Sequence, residues 1–397
     1  MVKREDLETV YLLARANKRR SEDAILFEKD QEKRISQLCI KINERTYRCN
    51  DNYTFISMHP QPREVFGCEF ESRMIQWYVV WRILPYLEEA LTSRTYNNRK
   101  GMGTLAAVAQ VQDDIFEVSM GFTREAWAIQ WDLTGCFPNA VCEIAYQKLR
   151  RLIEERYEGE DKEDLLWMAM IAIHANPAQH CYRKTSLEQW NGNIKPEKSL
   201  FTKDPGIGGA IGFLIWQIVM NLYFDEVDHW AVDEMGLYYT RFVDDSCVIT
   251  TDKAEVLHLL PHFREMYAEV GARMHPNKFS CQPIDKGVKF LGTYIKCDRA
   301  YVANRTIRKA HSRIHEMNQC KCKVAHIEEF IATVNSYLGI MKYKCEFNNI
   351  TKLWEYVSGD WKKYVDMDWE RKTIVAKEGF KHRDLLERKF KLITGGV

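Results

Sequence analysis

The sequence contains no uninterrupted run of about 18 apolar residues, so it predicts no membrane span. Its first residues, 1–6, are mostly charged and lack the apolar core of a signal peptide, which predicts a cytoplasmic protein. The 12 cysteines are scattered along the chain. Their one tight cluster, Cys320 and Cys322 near His326, has no second pair of the kind that zinc sites use, so reduced thiols are expected.

The sequence also has little net charge, because 57 Lys and Arg residues nearly balance 56 Asp and Glu residues. That balance is low for a protein that binds phosphates unaided, and it predicts a partner, either a second protein subunit or another copy of the chain. The charge is unevenly spread, with 19 basic and 12 acidic residues in 301–397. A surface for a nucleic-acid backbone is predicted there, with an ordinary solvated helical face as the alternative.

The 397 residues, 46% of them hydrophobic, are enough for a sizeable core and more than one subdomain. Helical spacing of apolar residues predicts helices over 4–45, 70–92, 140–174, 211–232 and 254–270. Short β-favouring runs predict strands over 53–68, 126–131 and 238–250, and on both sides of 290–292. This order indicates the α+β class, with an antiparallel sheet of few strands, helices beside it and helical ends.

Two adjacent acids, Asp244 and Asp245, stand between the β-favouring segments 238–243 and 246–250. These flanks predict a hairpin with the acids at its tip. Neighbouring carboxylates beside apolar residues repel each other and lose solvation, so a divalent cation with oxygen ligands is expected to compensate them. A solvated turn is the alternative, although no glycine follows the pair as it does in the commonest hairpin turns.

A further acid, Asp132, ends the apolar strand predicted over 126–131. By itself it could cap a helix that begins near Pro138. Combined with the acid pair, it predicts an acidic site built from two strand ends. Carboxylates from separate strands can hold two metal ions about 4 Å apart, the arrangement that activates an attacking hydroxyl and steadies a triphosphate during phosphoryl transfer.

These motifs resemble the reverse-transcriptase family at four places that follow the family's order. The segment 132–137 matches the first palm motif, and 242–245 matches the paired-aspartate motif, with Phe242 where tyrosine is usual. Lys278 matches the lysine motif after the palm helix, and 290–292 matches the primer-grip hairpin. The resemblance implies a right-hand polymerase fold, in which fingers and an antiparallel-sheet palm are followed by a helical thumb.

The resemblance also implies a division of the chain into an N-terminal helical extension, fingers, a palm with a helical insertion, and a thumb. The implied bounds are 1–45 for the extension, 46–125 for the fingers, 126–300 for the palm with its insertion at 140–205, and 301–397 for the thumb.

The family's metal ligands fall on matching positions of this sequence. Asp132 and Asp244 would bind Mg²⁺, for which Mn²⁺ is the expected substitute, with the carbonyl of Leu133 as a third ligand and Asp245 in support. Nucleic-acid contacts are implied for Arg99, Lys100, Phe290, Leu291 and Gly292.

Other matching positions concern the nucleotide. Phe137 stands where the family keeps an aromatic gate against a ribose 2′-hydroxyl, which implies deoxynucleoside triphosphates as substrates. Lys278 would protonate the pyrophosphate, and Arg63 would clamp the triphosphate by charge-assisted bonds. Gly212 and Gln217 are further substrate-binding candidates. Core packing is the alternative for Phe137, and an ordinary surface charge is the alternative for Lys278 and Arg63.

Within the family, the segments 98–104 and 198–201 resemble bacterial reverse transcriptases of diversity-generating retroelements and of antiphage defence. Phe213 and Trp216 replace small polar residues of the retroelement enzymes, and Met102 stands where a basic residue is common. The resulting hypothesis is an RNA-directed DNA polymerase of antiphage defence, which makes restricted-sequence or repeat DNA on an RNA template or a dedicated non-coding RNA, or with little template. A retroelement enzyme and a non-catalytic, RNA-binding polymerase-like protein are the alternatives.

Overall fold

The computed structural model describes residues 1–16, 18, 21–49, 52–58, 61–296 and 298–380. Its strands are β1 Asn52–Ser57, β2 Arg63–Cys68, β3 Trp127–Leu133, β4 Cys181–Arg183, β5 Tyr238–Phe242, β6 Asp245–Thr250, β7 Met274–Pro283, β8 Val288–Phe290, β9 Thr293–Lys296, β10 Arg299–Val302, β11 Val365–Asp368 and β12 Thr373–Ala376.

The helices comprise α1 Arg4–Arg15, α2 Glu22–Glu28, α3 Gln31–Asn43, α4 Phe70–Ala90, α5 Thr104–Val118, α6 Cys142–Arg156, α7 Lys162–His174, α8 Leu187–Asn193, α9 Leu214–Tyr223, α10 Asp225–His229, α11 Lys253–Glu269, α12 Asn304–Asn318, α13 Ile327–Met341, α14 Phe347–Tyr356 and α15 Gly359–Lys362. None of the helices in the described part of the chain has both the length and the apolar content that crossing a membrane requires.

The chain folds into two compact units. The first unit is formed by 1–111 and 127–281, and the second by 112–126 and the chain from 282 onward. Each unit has a hydrophobic core of its own. The subdomain bounds implied by the family resemblance stay predictions, since compactness alone does not assign fingers, palm or thumb.

The first unit contains a four-stranded sheet in the order β5-β6-β3-β7. Strand β3 carries apolar residues that suit a buried strand, and Ala128, Ile129 and Trp131 are all buried. The ring of Trp131 lies 4.8 Å from that of Phe263 on α11, which covers this face of the sheet. Helix α11 therefore supports this sheet from one side.

A second sheet in the same unit has the order β2-β1-β4, with β1 and β2 antiparallel and β4 parallel to β1. The hairpin predicted over 53–68 is present, although Pro60, one of the two prolines that indicated its turn, lies outside the described residues. Helix α4 packs against α1, α7 and α9, and it is buried along most of its length. Its apolar residues therefore form the centre of the first unit's helical layer.

The second unit combines the sheet β10-β9-β8 with helices α12, α13 and α14 and the hairpin β11-β12. The rings of Phe330 and Trp361 stack at 4.1 Å in its core. The predicted turn at 290–292 is present, because Phe290 pairs with Thr293 across it.

The predicted α+β class with an antiparallel sheet is confirmed, and the strands over 126–131 and 238–250 lie where the sequence placed them. The segment 4–45, predicted to be helical with a second amphipathic run from Glu22, forms three helices, α1, α2 and α3, in its described part. The stretch after 301, predicted to be helical, also contains the hairpin β11-β12. Each of these two strands has only four residues, too few for the alternation of buried and exposed side chains to stand out from helical surroundings.

Candidate active site

The three predicted acids meet at one end of the four-stranded sheet. Strand β6 lies between β3 and β5, so Asp245 is opposite Asp132 on one side and opposite Phe242 on the other. Asp244 occupies the turn between β5 and β6, and its carbonyl oxygen accepts a hydrogen bond from the Leu133 N–H at 3.1 Å. Residues more than a hundred positions apart are thus brought together by the antiparallel register alone.

The acids occupy an electrostatically costly position. Burial, followed by repulsion from Asp132, raises the pKa of Asp244 above its ordinary value. Burial, followed by repulsion from Asp244 and then Asp132, raises the pKa of Asp245 to about 7. The charges of Lys278 and Arg63 oppose both shifts but do not cancel them. Ionising both carboxyls of the pair is therefore unfavourable, even with these two cations nearby.

Lys278 lies beside the acids, as the sequence predicts. Strand β7 is the neighbour of β3, and the Lys278 Nζ donates to Asp132 Oδ2 at 2.6 Å. The lysine side chain keeps 53% of its surface exposed, whereas that of Asp132 keeps 15%. The ammonium group therefore bridges the acid cluster and solvent.

Arg63 begins strand β2 and is exposed, and its charge acts on both Asp244 and Asp245. The next residue, Glu64, is buried and accepts hydrogen bonds from Ser199 Oγ at 2.6 Å and from the Leu200 N–H at 2.8 Å. These bonds attach the start of β2 to the 198–201 segment. Glu64 thus fixes the backbone that carries Arg63, a role that the sequence did not reveal.

Phe137 lies in the turn that follows β3, half-buried and packed against the core. Its carbonyl oxygen accepts a hydrogen bond from the Gly209 N–H at 2.7 Å, which fixes the turn from outside. Gly135 opens this turn with a φ of 57°. Both readings of Phe137, core packing and a nucleotide contact, are compatible with a ring that is only partly enclosed.

Gly212 and Gln217 lie at the start of α9. Gly212 has a φ of 109°, and a Cβ at this position would collide with the carbonyl oxygen of Phe66 on β2. The neighbouring Ile211 carbonyl accepts the Phe66 N–H at 2.8 Å. Gln217 is half-buried, and its backbone carbonyl accepts a hydrogen bond from Asn98 Nδ2 at 2.9 Å. A glycine at 212 is therefore explained by the close approach of two backbones.

Phe213 and Trp216 are buried in the core of the first unit, with 2% and 0% of their surfaces exposed. Core packing accounts for both aromatic side chains. The sequence-based argument that they remove polarity beside the nucleotide thus receives no support from their positions.

The two predicted nucleic-acid-binding residues in the loop before α5 differ in their exposure to solvent. Lys100 is exposed, whereas the side chain of Arg99 keeps only 6% of its surface exposed. The Arg99 guanidinium donates to the carbonyl oxygens of Thr92 and Thr95 at 2.6 and 3.0 Å, and to Glu88 at 2.8 Å. In this structure, Arg99 thus holds the loop together, and Lys100 is the cation that faces solvent.

The other predicted nucleic-acid residues belong to the second unit. Leu291 and Gly292 form the tight turn between β8 and β9, with φ values of 45° and 72°, and Phe290 is buried beneath it. The turn is fixed further by the Gly292 carbonyl, which accepts the Ala303 N–H at 2.9 Å.

Two residues that sequence reasoning missed control the turn that carries Asp244. Asn97 Oδ1 accepts the Val243 N–H at 3.1 Å, and Arg241 Nη1 donates to the Val243 carbonyl at 3.1 Å. Arg241 is the one charged residue of β5, whose other members are aromatic residues and Thr240, and it is fully buried. That contrast was visible in the sequence and could have identified it, whereas Asn97 gave no signal.

The acid cluster suits a hard divalent cation such as Mg²⁺, because carboxylate oxygens are its preferred protein ligands and its charge would offset the burial and the repulsion that raise these pKa values. Within the described residues, no group of three or more His, Cys, Asp or Glu side chains is arranged to hold a metal ion by itself. Mg²⁺ is commonly bound through one or two carboxylates together with substrate phosphates, so two carboxylates such as those of Asp132 and Asp244 would suffice as protein ligands.

An antiparallel sheet with acids at adjoining strand ends, flanked by a lysine and an arginine, is typical of nucleotidyl-transfer enzymes of the polymerase class. The family model described as reverse transcriptase (RNA-dependent DNA polymerase) matches residues 61–295, which is more than half of the chain. The chain belongs to this family. No curated protein matches the sequence significantly.

Solved structures of telomerases are similar to the chain at low sequence identity. The telomerase of Candida albicans, solved with a TWJ fragment of telomeric RNA, has 10% identity and a TM-score of 0.46, covering 84% of this chain and 60% of its own. The apo telomerase of Candida tropicalis has 11% identity and a TM-score of 0.47, covering 72% of this chain and 52% of its own. The chain thus spans 52–60% of the length of these two telomerases.

Proposed function

We propose that this protein is an RNA-directed DNA polymerase that adds deoxynucleotides to a 3′ end with two divalent metal ions. The observation that carries the proposal is the convergence of Asp132, Asp244 and Asp245 at one end of the sheet. Two cations accompany these acids: Lys278 is hydrogen-bonded to Asp132, and the charge of Arg63 acts on Asp244 and Asp245. Membership of the reverse-transcriptase family supports the same reaction.

In this proposal, Asp132 and Asp244 bind the metal ions together with the Leu133 carbonyl, and Asp245 adds negative charge behind them. When bound, Mg²⁺ or Mn²⁺ would lower the pKa of the attacking hydroxyl and neutralise charge on the leaving group. Arg63, exposed at the start of β2, is placed to hold the triphosphate.

Lys278 has a second task in this proposal. Its Nζ donates a hydrogen bond to Asp132 Oδ2 at 2.6 Å. The flexible side chain would let this ammonium group move to the pyrophosphate once the Asp132 carboxylate binds metal. Phe137 would border the sugar of the incoming nucleotide, because the turn that carries it directly follows the strand bearing Asp132.

Primer extension on an RNA template with Mg²⁺ tests the proposal. Asp244→Asn should lower the rate at least about 100-fold, since loss of a metal's supporting residues alone commonly costs 10- to 100-fold. Glu188→Gln, which neutralises an exposed acid on α8, is the matched control and should extend primers like the native chain. The proposal fails if the native chain extends no primer on RNA, or if Asp244→Asn extends it at the native rate.

We further propose that the enzyme acts in cytoplasmic antiphage defence and makes DNA of restricted or repeated sequence, on an RNA template or a non-coding RNA. The support is the resemblance of 98–104 and 198–201 to such enzymes, with the half-buried Met102 in place of a cation. The nearly balanced total charge supports a second subunit or another copy of the chain as a partner. Sequencing the DNA made in cells decides the role, because long and diverse copies of one template repeat would indicate a retroelement enzyme instead.

A further inference from the structure

The turn that carries the catalytic acids has an unfavourable backbone conformation. Val243 adopts a φ of 57°, in the left-handed region where a β-branched side chain is strained. Hairpin turns of this kind normally place glycine, asparagine or aspartate there. Val243 joins strand β5 to Asp244, so its conformation sets the direction of the carboxylates that follow.

Side chains from outside the turn hold both peptide groups of Val243. Its N–H donates to Asn97 Oδ1 at 3.1 Å, and its carbonyl accepts a bond from Arg241 Nη1, also at 3.1 Å. Asn97 is 2% exposed and Arg241 is 0% exposed, so both partners of the half-buried Val243 backbone are themselves shielded from water.

Arg241 is itself fixed by a buried ion pair. Its guanidinium donates to Asp228 through Nε at 2.7 Å and through Nη2 at 2.5 Å. Thr95 Oγ1 donates to the same carboxylate at 2.7 Å. With Nε and Nη2 on Asp228, the planar guanidinium directs Nη1 to the Val243 carbonyl.

Hydrogen bonds to the backbone of residues 94–97 hold Asn97 in place. The segment 94–96 runs beside β5, where Arg241 N–H donates to the Arg94 carbonyl and Tyr96 N–H donates to the Arg241 carbonyl, each at 3.0 Å. Asn221 Nδ2 donates to the carbonyl of Asn97 at 2.8 Å. The segment thus extends the sheet beyond β5 and delivers Asn97 to the turn.

We propose that Asn97 is a positioning residue, which holds Val243 in its left-handed conformation and thereby keeps Asp244 directed towards the metal position beside Asp132. This inference rests on the proposed metal-dependent function of the acids. It assigns to the loop before α5 a task in the reaction, separate from the nucleic-acid contact predicted for its exposed lysine.

A double-mutant cycle between Asn97→Ala and Val243→Gly tests this inference. Glycine adopts the left-handed region without strain, so it removes the need for the Asn97 bond. Asn97→Ala alone should lower kcat about 10-fold with little change in the KM for nucleotide, whereas added to Val243→Gly it should lower kcat less than about 2-fold, a coupling typical of contacting residues.

A second readout is independent of polymerase activity. Binding of Mn²⁺, followed by electron paramagnetic resonance, should weaken several-fold in Asn97→Ala and recover in the double variant. Ser93→Ala, an exposed position in the same loop, is the control and should match the native chain in both assays. If Asn97→Ala does not fold, Asn97→Leu replaces it in the cycle, because leucine fills a similar volume and lacks an oxygen acceptor.

Equal losses of kcat and of Mn²⁺ affinity from Asn97→Ala in both backgrounds would overturn the inference, since the bond would then act independently of the turn's strain. A native chain that extends no primer but shows the Mn²⁺ coupling would defeat the proposed polymerase function and still support the positioning role.

Discussion

At the scale of single residues, Asp245 shows how the site opposes the stability of the fold. Burial, followed by repulsion from Asp244 and Asp132, raises the pKa of Asp245 to about 7. In the unfolded chain, an aspartate has its ordinary pKa of about 3.9. The folded state therefore binds more protons than the unfolded state between these values. Stability from this group is fully present below about pH 4 and falls as the pH rises to 7.

Asp245→Asn should consequently stabilise the metal-free protein at pH 8 by about 2 kcal/mol. This is half of the free energy that corresponds to the full pKa shift, because water partly screens the carboxylate. Near pH 4 it should change the free energy of unfolding little, since the native carboxyl is protonated there. Urea unfolding at the two pH values measures the difference. An equal effect at both would show that packing, and not charge, separates the variants.

Gly212 makes a second prediction at this scale. Gly212→Ala should destabilise the first unit by about 3 kcal/mol, because the new methyl group meets the Phe66 carbonyl in a backbone region unsuited to alanine. Gly192→Ala, on α8 with open space around it, is the matched control and should leave the unfolding midpoint nearly unchanged. Native stability in Gly212→Ala would mean that β2 and the 211–212 segment separate easily.

At the scale of elements, the sequence predicted what local patterns determine. The strands ending at Asp132 and flanking Asp244 have β-favouring residues, so their acids could be expected at strand ends. Their convergence was predicted by combining the two strand ends and was also implied by the family resemblance, and the antiparallel register of β3 and β6 shows its physical basis.

Other parts of the site depend on contacts that no local pattern records. The bond from Val243 to Asn97 joins positions 146 residues apart, and Ser199 reaches Glu64 across 135 residues. The left-handed turn also contradicts the preference of valine, so the local signal pointed away from it. Long-range partners of this kind become visible only when the strands are assembled.

The prediction at this scale concerns the buried ion pair between Arg241 on β5 and Asp228 on α10. Asp228→Asn should destabilise the protein by about 3–5 kcal/mol, because it leaves the Arg241 guanidinium buried without its counter-charge. Replacing both residues by apolar ones, Arg241→Met with Asp228→Leu, should recover most of that loss. Glu154→Gln, which breaks the exposed pair with Arg150, should cost less than about 1 kcal/mol. Chemical denaturation compares the variants, and a loss from Asp228→Asn as small as that control would contradict the argument.

At the scale of the whole molecule, the last quarter of the chain differs in charge from the rest. The chain from 301 to 397 carries 19 basic and 12 acidic residues, although the complete chain has a net charge of only +1. Helix α12 contributes the exposed Arg305 and Arg308 to that surplus. A cationic helix face of this kind is suited to a phosphate backbone, and neutralised phosphates release counterions in proportion to their number.

Binding of an RNA–DNA duplex should therefore depend on salt through this helix. The double reversal Arg305→Glu with Arg308→Glu should weaken binding and lower the slope of log K against log salt by about 2, close to one unit for each lost phosphate contact. Arg150→Glu with Arg151→Glu, an identical charge change on α6 of the first unit, is the control. Because both pairs alter the net charge equally, a slope that falls only for the α12 pair locates the contact on the second unit. Equal slopes for the two variants would instead mean that the duplex responds to total charge alone, and the basic surplus after residue 301 would be an ordinary solvated surface.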